Sequence, residues 1–137
     1  VRLGYLIGPA WAVESVERVV LPYHLDAFKQ RAGLAALGFV DDMNARVARL
    51  VEERGRLTTA LGELDVEQWP SAANFVLFRP RSVDGDAVWS ALVDRGVLVR
   101  NCASWPGLDG CLRVTIGTVE ENDAFVAALT DILEGTS

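Results

Sequence analysis

The sequence predicts an α/β sandwich, with helices on one face of a sheet, and three stretches carry that expectation. Residues 112–132 read as strand, turn and helix. Leu112, Val114 and Ile116 alternate with Arg113 and Thr115, and Gly117 breaks the strand. Thr118 followed three residues later by Glu121 is a capping-box pattern, heading a helix with Phe125, Leu129 and Ile132 on one stripe. Residues 74–78, NFVLF, are apolar enough for an inner strand. A long helix capped by Asp41 or Asp42 carries Val47, Leu50, Val51, Leu57, Leu61 and Leu64 on one stripe. Its other face, Arg46, Arg49, Glu52, Glu53 and Arg56, reads as solvated charge with pairs along the helix.

From the N-terminus, residues 1–8 alternate like a strand, and Gly8-Pro9 ends it. Residues 10–20 read as a short helix, and Pro22 imposes a bend at residues 21–24. A helix opens in the stretch around Lys29 and ends at Gly38. Residues 65–70 lead through Trp69-Pro70 into the strand at 74–78. Asp84-Gly85-Asp86 then starts a helix with Val88, Trp89 and Leu92 inward, which Gly96 stops. Residues 97–99 form a strand closed by Arg100. The loop 104–110 reads as a mobile edge and residues 134–137 as a frayed tail. Over residues 41–134 the order is helix, strand, helix, strand, strand, helix.

At 137 residues and 50% hydrophobic, the chain is long enough for one domain with a core. No apolar run reaches the roughly 18–20 residues that span a bilayer, and no signal-type segment opens it, so a soluble, non-exported chain is expected. A net charge of -6 without any basic run argues against a nucleic-acid surface. Cys102 and Cys111 flank the 103–110 loop. A hairpin there would bring them near disulfide range, but an isolated pair in an acidic domain reads as reduced thiols. One histidine and no CxxC spacing leave no zinc site. GxGxxG and Walker patterns are absent.

Arg113 emerges from a rigid strand. Its guanidinium is a planar fork of donors suited to carboxylate or phosphate, so it reads either as an anion clamp or as a solvated arginine on the sheet's outer face. If strands 74–78, 97–100 and 112–116 share one sheet, Arg100 and Arg113 reach one anion from adjacent strand ends.

The stretch CLRVTIGTVEEN at 111–122 resembles the C-terminal strand-helix signature of histidinol-phosphate aminotransferases, within the fold type I pyridoxal-phosphate enzymes. RLGYLIG at 2–8, LPYHL at 21–25, SAANFVLF at 71–78 and VLVRN at 97–101 are similar to that family's segments, in its order and with comparable spacing, over nearly the full chain. The resemblance implies the C-terminal part of a fold type I pyridoxal-phosphate-dependent transferase. Residues 1–38 would be the tail end of the large cofactor-binding domain. Residues 39–137 would be the small C-terminal domain, with the long interdomain helix at its start.

The implied activity is amino transfer between L-histidinol phosphate and 2-oxoglutarate, in histidine biosynthesis, with pyridoxal 5'-phosphate as cofactor. A cytoplasmic homodimer without nucleic-acid or membrane partners is implied as well. Another class I or II aminotransferase, acting on aromatic amino acids, and a non-enzymatic α/β ligand-binding module remain as alternatives.

The same resemblance assigns residues. Arg2 stands where an arginine holds the cofactor's phosphate; as a bare residue near a chain end it can equally be solvated. Tyr23 faces the substrate pocket and can pack on an imidazole, though packing alone explains a tyrosine after proline. Asn74 lies near the active-site mouth, or else bonds its own backbone at a strand entry. Arg100 and Arg113 bind the substrate's acidic end. His24 has no catalytic partner at a telling spacing and reads as structural. The Schiff-base lysine is expected upstream of Val1, leaving no catalytic residue in this chain. The sole lysine, Lys29, lies in a segment that does not match the cofactor lysine's. Where the family has small hydroxyl residues after PYHL, this chain has Asp26, Ala27, Phe28 and Lys29.

Overall fold

A computed structural model describes residues 2–135. Val1, Thr136 and Ser137 lie outside the described residues, and with them one end each of the expected N-terminal strand and C-terminal tail. The chain divides into two compact units, Val1–Ala45 and Arg46–Ser137.

The first unit holds α1 (Ala10–Glu17), α2 (Ala27–Ala36), a 3-10 turn (Leu37–Phe39) and the start of α3 (Val40–Gly62). Residues 2–9 have no regular structure, which corrects the expected strand. Their alternating pattern has no neighbouring strand in the unit to pair with, and an isolated strand cannot satisfy its own backbone. Leu3 packs instead close against Gly33 of α2. Pro9 stands at the N-cap of α1, where its missing N–H costs nothing.

Asp26 caps α2 by accepting from the Lys29 N–H at 2.9 Å, and its side chain also pairs with Lys29 Nζ at 2.9 Å. That engagement holds the Asp26 carboxyl below its ordinary range. Gly38 does not end the helical path. The backbone stays right-handed from Ala36 through Val40, and α3 begins there with Asp41 and Asp42 inside its first turn rather than capping it. The two acids suit that position because they face the positive end of the helix dipole.

The second unit contains the rest of α3, β1 (Val66–Gln68), β2 (Phe75–Pro80), α4 (Gly85–Asp94), β3 (Arg100–Asn101), β4 (Leu112–Thr115) and α5 (Val119–Glu134). Its sheet is antiparallel throughout, with strand order β1-β2-β4-β3. Along β2 burial alternates strictly, with Val76, Phe78 and Pro80 inward. Val76 faces Val114 and Phe78 faces Leu112 in register. These residues join Leu57 and Leu61 of α3, Val88 and Leu92 of α4, and Phe125, Leu129 and Ile132 of α5 in one core. All three helices therefore cover the same face, the α/β sandwich that the sequence predicts. Phe78 meets Phe125 edge-on, with centroids 5.7 Å apart.

Three expectations need correction here. The segment before Trp69 is itself a strand, β1, whose short length hides any alternation. Residues 97–99 are not a strand; pairing starts only at Arg100, because Val97 N–H is spent on Leu92 O in the turn that closes α4. Trp89 is not inward: it is partly exposed, and its indole N–H donates to Val99 O at 3.1 Å.

The capping box at α5 is present, with Glu121 N–H donating to Thr118 Oγ1 and Thr118 N–H to the Glu121 carboxylate. Glu134 ends α5 and Gly135 caps it, so the expected tail does not begin at Glu134. Among the described residues no helix is long and apolar enough to cross a membrane.

Candidate anion-binding site

The face of the sheet opposite the core is built from what alternation leaves over. Arg113 is flanked in β4 by the buried Leu112 and Val114, so its side chain points away from the core. Register places Leu77 opposite Arg113 on one side and Arg100 opposite it on the other. The two arginines thus occupy paired positions on adjacent strands, where Cβ atoms stand about 4.5–5.5 Å apart.

Neither forms an ion pair among the described residues, whose salt bridges run between Lys29 and Asp26, between Arg56 and both Glu53 and Asp123, and between Arg79 and Glu67. Arg113 Nε is buried without a hydrogen-bond partner. Its Cζ lies 4.8 Å from the centroid of the Phe75 ring, and Arg100 Cζ lies 6.0 Å from that of Trp105. A buried donor without an acceptor is costly, so the position favours a species that brings oxygen atoms.

The turns around this face are tied down. Arg54 of α3 donates to Ala73 O at 2.9 Å, and Ser71 Oγ bonds within the turn that delivers Phe75 to β2. Asn122 of α5 is 2% exposed. Its amide accepts from Gly117 N–H and donates to Gly117 O and to Glu53, which locks the exit of β4 onto α3. Glu53 is therefore half-buried rather than solvated. The Arg56 guanidinium and then the Asn122 amide hold its carboxyl below the usual value.

The 103–110 loop is laced by backbone bonds from Trp105 to Cys102 O, Leu108 to Trp105 O and Cys111 to Leu108 O. Cys102 and Cys111 are free and buried, and burial raises the Cys111 thiol, so it keeps its proton.

Asn74 stands one residue before β2, exposed, with its carbonyl accepting from Ile116 N–H at 2.9 Å. Its position continues the buried parity of Val76 and Phe78, so it does not share the outward row of Arg100 and Arg113. Within the first unit, Arg2 and Tyr23 are exposed, Tyr23 almost wholly at 99%. They are also the two non-glycine residues with positive φ, 54° and 58°, among the described residues. Such backbone is strained by about 1–3 kcal/mol and concentrates at functional positions. His24 Nδ1 lies 3.1 Å from Leu21 O within the bend, a structural engagement.

Phe75, Trp105, Arg54 and Asn122 are contributors that sequence reasoning missed. Phe75 and Trp105 carry no signal until register and loop path are known. Arg54 and Asn122 read from sequence only as helix polar residues.

The second unit is thus a small α/β sandwich whose outward face carries a pair of arginines without an ion pair among the described residues, and comparison with known proteins supplies its family. A profile of the aminotransferases of class I and II matches residues 1–129. The chain belongs to that family. It is 46% identical over 131 residues to a histidinol-phosphate aminotransferase of Corynebacterium efficiens, covering 96% of this chain and 34% of that protein. The chain thus spans about a third of the length of the curated relatives it matches. A solved putative aminotransferase from Burkholderia pseudomallei superposes with a TM-score of 0.82 at 29% identity, covering 91% of this chain and 38% of the other. A histidinol-phosphate aminotransferase from Clostridium acetobutylicum superposes with a TM-score of 0.82 at 22% identity, covering 89% and 37%, a likeness of fold.

Proposed function

We propose that the chain is the C-terminal portion of a histidinol-phosphate aminotransferase, which moves an amino group between L-histidinol phosphate and 2-oxoglutarate with pyridoxal 5'-phosphate as cofactor. The observation that carries the reading is the in-register pair Arg100 and Arg113, without an ion pair among the described residues, in a chain of this family. A planar guanidinium binds a phosphate or a carboxylate through two parallel hydrogen bonds. One clamp therefore serves the phosphate of histidinol phosphate in one half-reaction and a carboxylate of glutamate in the other. In this reading Tyr23 packs on the imidazole and Asn74 bonds the ligand at the mouth. Residues 1–38 are the tail of the cofactor-binding domain and residues 39–137 the small domain.

The residues present fit the cofactor's phosphate and not its aldehyde. Arg2 is an exposed guanidinium without an ion pair among the described residues, a suitable phosphate holder. Lys29 Nζ pairs with Asp26 at 2.9 Å, and its segment does not match the one that carries the cofactor lysine in the family it resembles. When bound, the cofactor supplies an electron sink for the bond broken at the substrate's amino-bearing carbon. This chain's part is to seize the far end of the substrate and orient that carbon.

None of residues 2–45 is buried, and Tyr5, Ile7, Trp11 and Phe28 are at least 72% exposed. That apolar surface suits packing in the large lobe of a cytoplasmic homodimer.

The direct test is an assay of the full-length protein with L-histidinol phosphate and 2-oxoglutarate, following glutamate. Turnover is expected at a kcat/KM well above that for phenylalanine. Turnover of phenylalanine with none of histidinol phosphate would replace this reading with an aromatic aminotransferase.

A further inference from the structure

We propose that Phe75 and Trp105 are positioning residues of the arginine clamp, holding Arg113 and Arg100 by their ring faces where other proteins use carboxylates. The proposal rests on the clamp reading given above. Arg79 supplies the contrast. It shares the outward parity of Phe75 and Leu77 on β2, and it too lies over an aromatic ring, Trp69, at 5.7 Å. Yet Arg79 donates through Nη2 to Glu67 at 2.5 Å, and that carboxylate raises its pKa further, so its charge already has an acidic partner. Arg113 and Arg100 have the ring without the acid.

Two like charges at directly opposed sheet positions repel, and a nearby carboxylate is the common remedy. That remedy would occupy the fork and compete with an incoming anion. An aromatic face attracts the cation through its quadrupole while consuming no N–H, and it fixes the plane of the guanidinium. Phe75 is well placed for this. It sits on β2 two residues before Leu77, the register partner of Arg113, so ring and fork ride on adjacent strands of one rigid ladder. Trp105 comes from the 103–110 loop, whose Trp105 N–H to Cys102 O bond of 3.0 Å anchors it beside the end of β3. Each guanidinium is thereby held with its donors unspent, and Phe75 and Trp105 act on binding of the anionic end rather than on the bond broken.

The test uses full-length enzyme carrying Phe75→Leu, Trp105→Leu, Phe75→Tyr and Trp105→Phe, with Arg113→Lys alongside. Each leucine variant is expected to raise KM for histidinol phosphate and the inhibition constant of inorganic phosphate together, by about three- to thirty-fold, with kcat nearly kept. The aromatic replacements should restore both to near the parent values. By NMR, the Arg113 side-chain protons should show an upfield ring-current shift that disappears in Phe75→Leu and survives in Phe75→Tyr. If Phe75→Leu does not fold, Trp105→Leu, at a loop position 43% exposed, carries the kinetic test. Unchanged KM and phosphate inhibition in the leucine variants, while Arg113→Lys weakens both, would overturn the positioning role and leave the clamp standing. Unchanged constants in Arg113→Lys as well would remove the clamp itself.

Discussion

Arg100 and Arg113 stand opposite each other across β3 and β4, on the sheet face opposite the core of their unit, and no acid among the described residues forms an ion pair with either. Pairing of like charges is destabilising on its own, and an anion bound between them, as the proposed function requires, would offset that cost.

The approach of α4 to the loop before β4 yields a stability prediction. A Cβ on Gly85 would fall 2.3 Å from Gly110 O, which is backbone and cannot swing aside. Gly85→Ala is expected to destabilise by about 1–3 kcal/mol through overpacking. Gly55, exposed in the interior of α3 with nothing within 4 Å of such a Cβ, gives the opposite sign. Gly55→Ala should stabilise by about 0.5–1 kcal/mol, by removing backbone entropy from the unfolded chain. Urea melts of both variants check the pair, and equal effects would contradict a steric limit at Gly85.

The pH dependence follows from Glu53. Its folded pKa lies below its ordinary value because Arg56, and then Asn122, bond the charged carboxylate. The unfolded chain therefore takes up this proton at higher pH than the folded one. The contribution is full above the ordinary value, near about 4.3, and is lost as pH falls through the folded pKa. Glu53→Gln should flatten the acid limb of stability as pH falls below the ordinary carboxylate value. Parallel limbs in parent and variant would show that Glu53 titrates alike in both states.

The sandwich was legible because its signals are local. Alternation in 112–116, the capping box at Thr118 and the stripe Phe125, Leu129 and Ile132 each survive intact in the structure. What failed depended on partners that sequence does not display. Residues 2–9 alternate but have no strand to pair with in their unit. Gly38 lies in a continuous helical path because the residues on either side keep right-handed backbone. Val47 and Val51 belong to the apolar stripe of α3 and yet remain half exposed. Of the site, the coincidence of Arg100 and Arg113 was foreseeable only on the condition of a shared sheet. The rings beneath them needed the register of β2 and the path of the 103–110 loop.

Lys29 gives a negative prediction. The chain by itself, mixed with pyridoxal phosphate and borohydride, should yield no stoichiometric adduct on Lys29 and no transaminase turnover, since Nζ is held by Asp26 and lies in α2. Mass spectrometry reads the outcome. A full adduct accompanied by turnover would relocate the cofactor chemistry into this chain.

The most direct measurement is the kinetics of Arg113→Lys in the full-length enzyme with both substrates. The variant keeps the charge and loses the planar fork. One charge-assisted hydrogen bond contributes about 1.5–3 kcal/mol, so kcat/KM should fall about ten- to more than a hundred-fold for histidinol phosphate and for glutamate alike, with melting temperature little changed. A lowered melting temperature with normal kinetics for either substrate would contradict a shared clamp at Arg113.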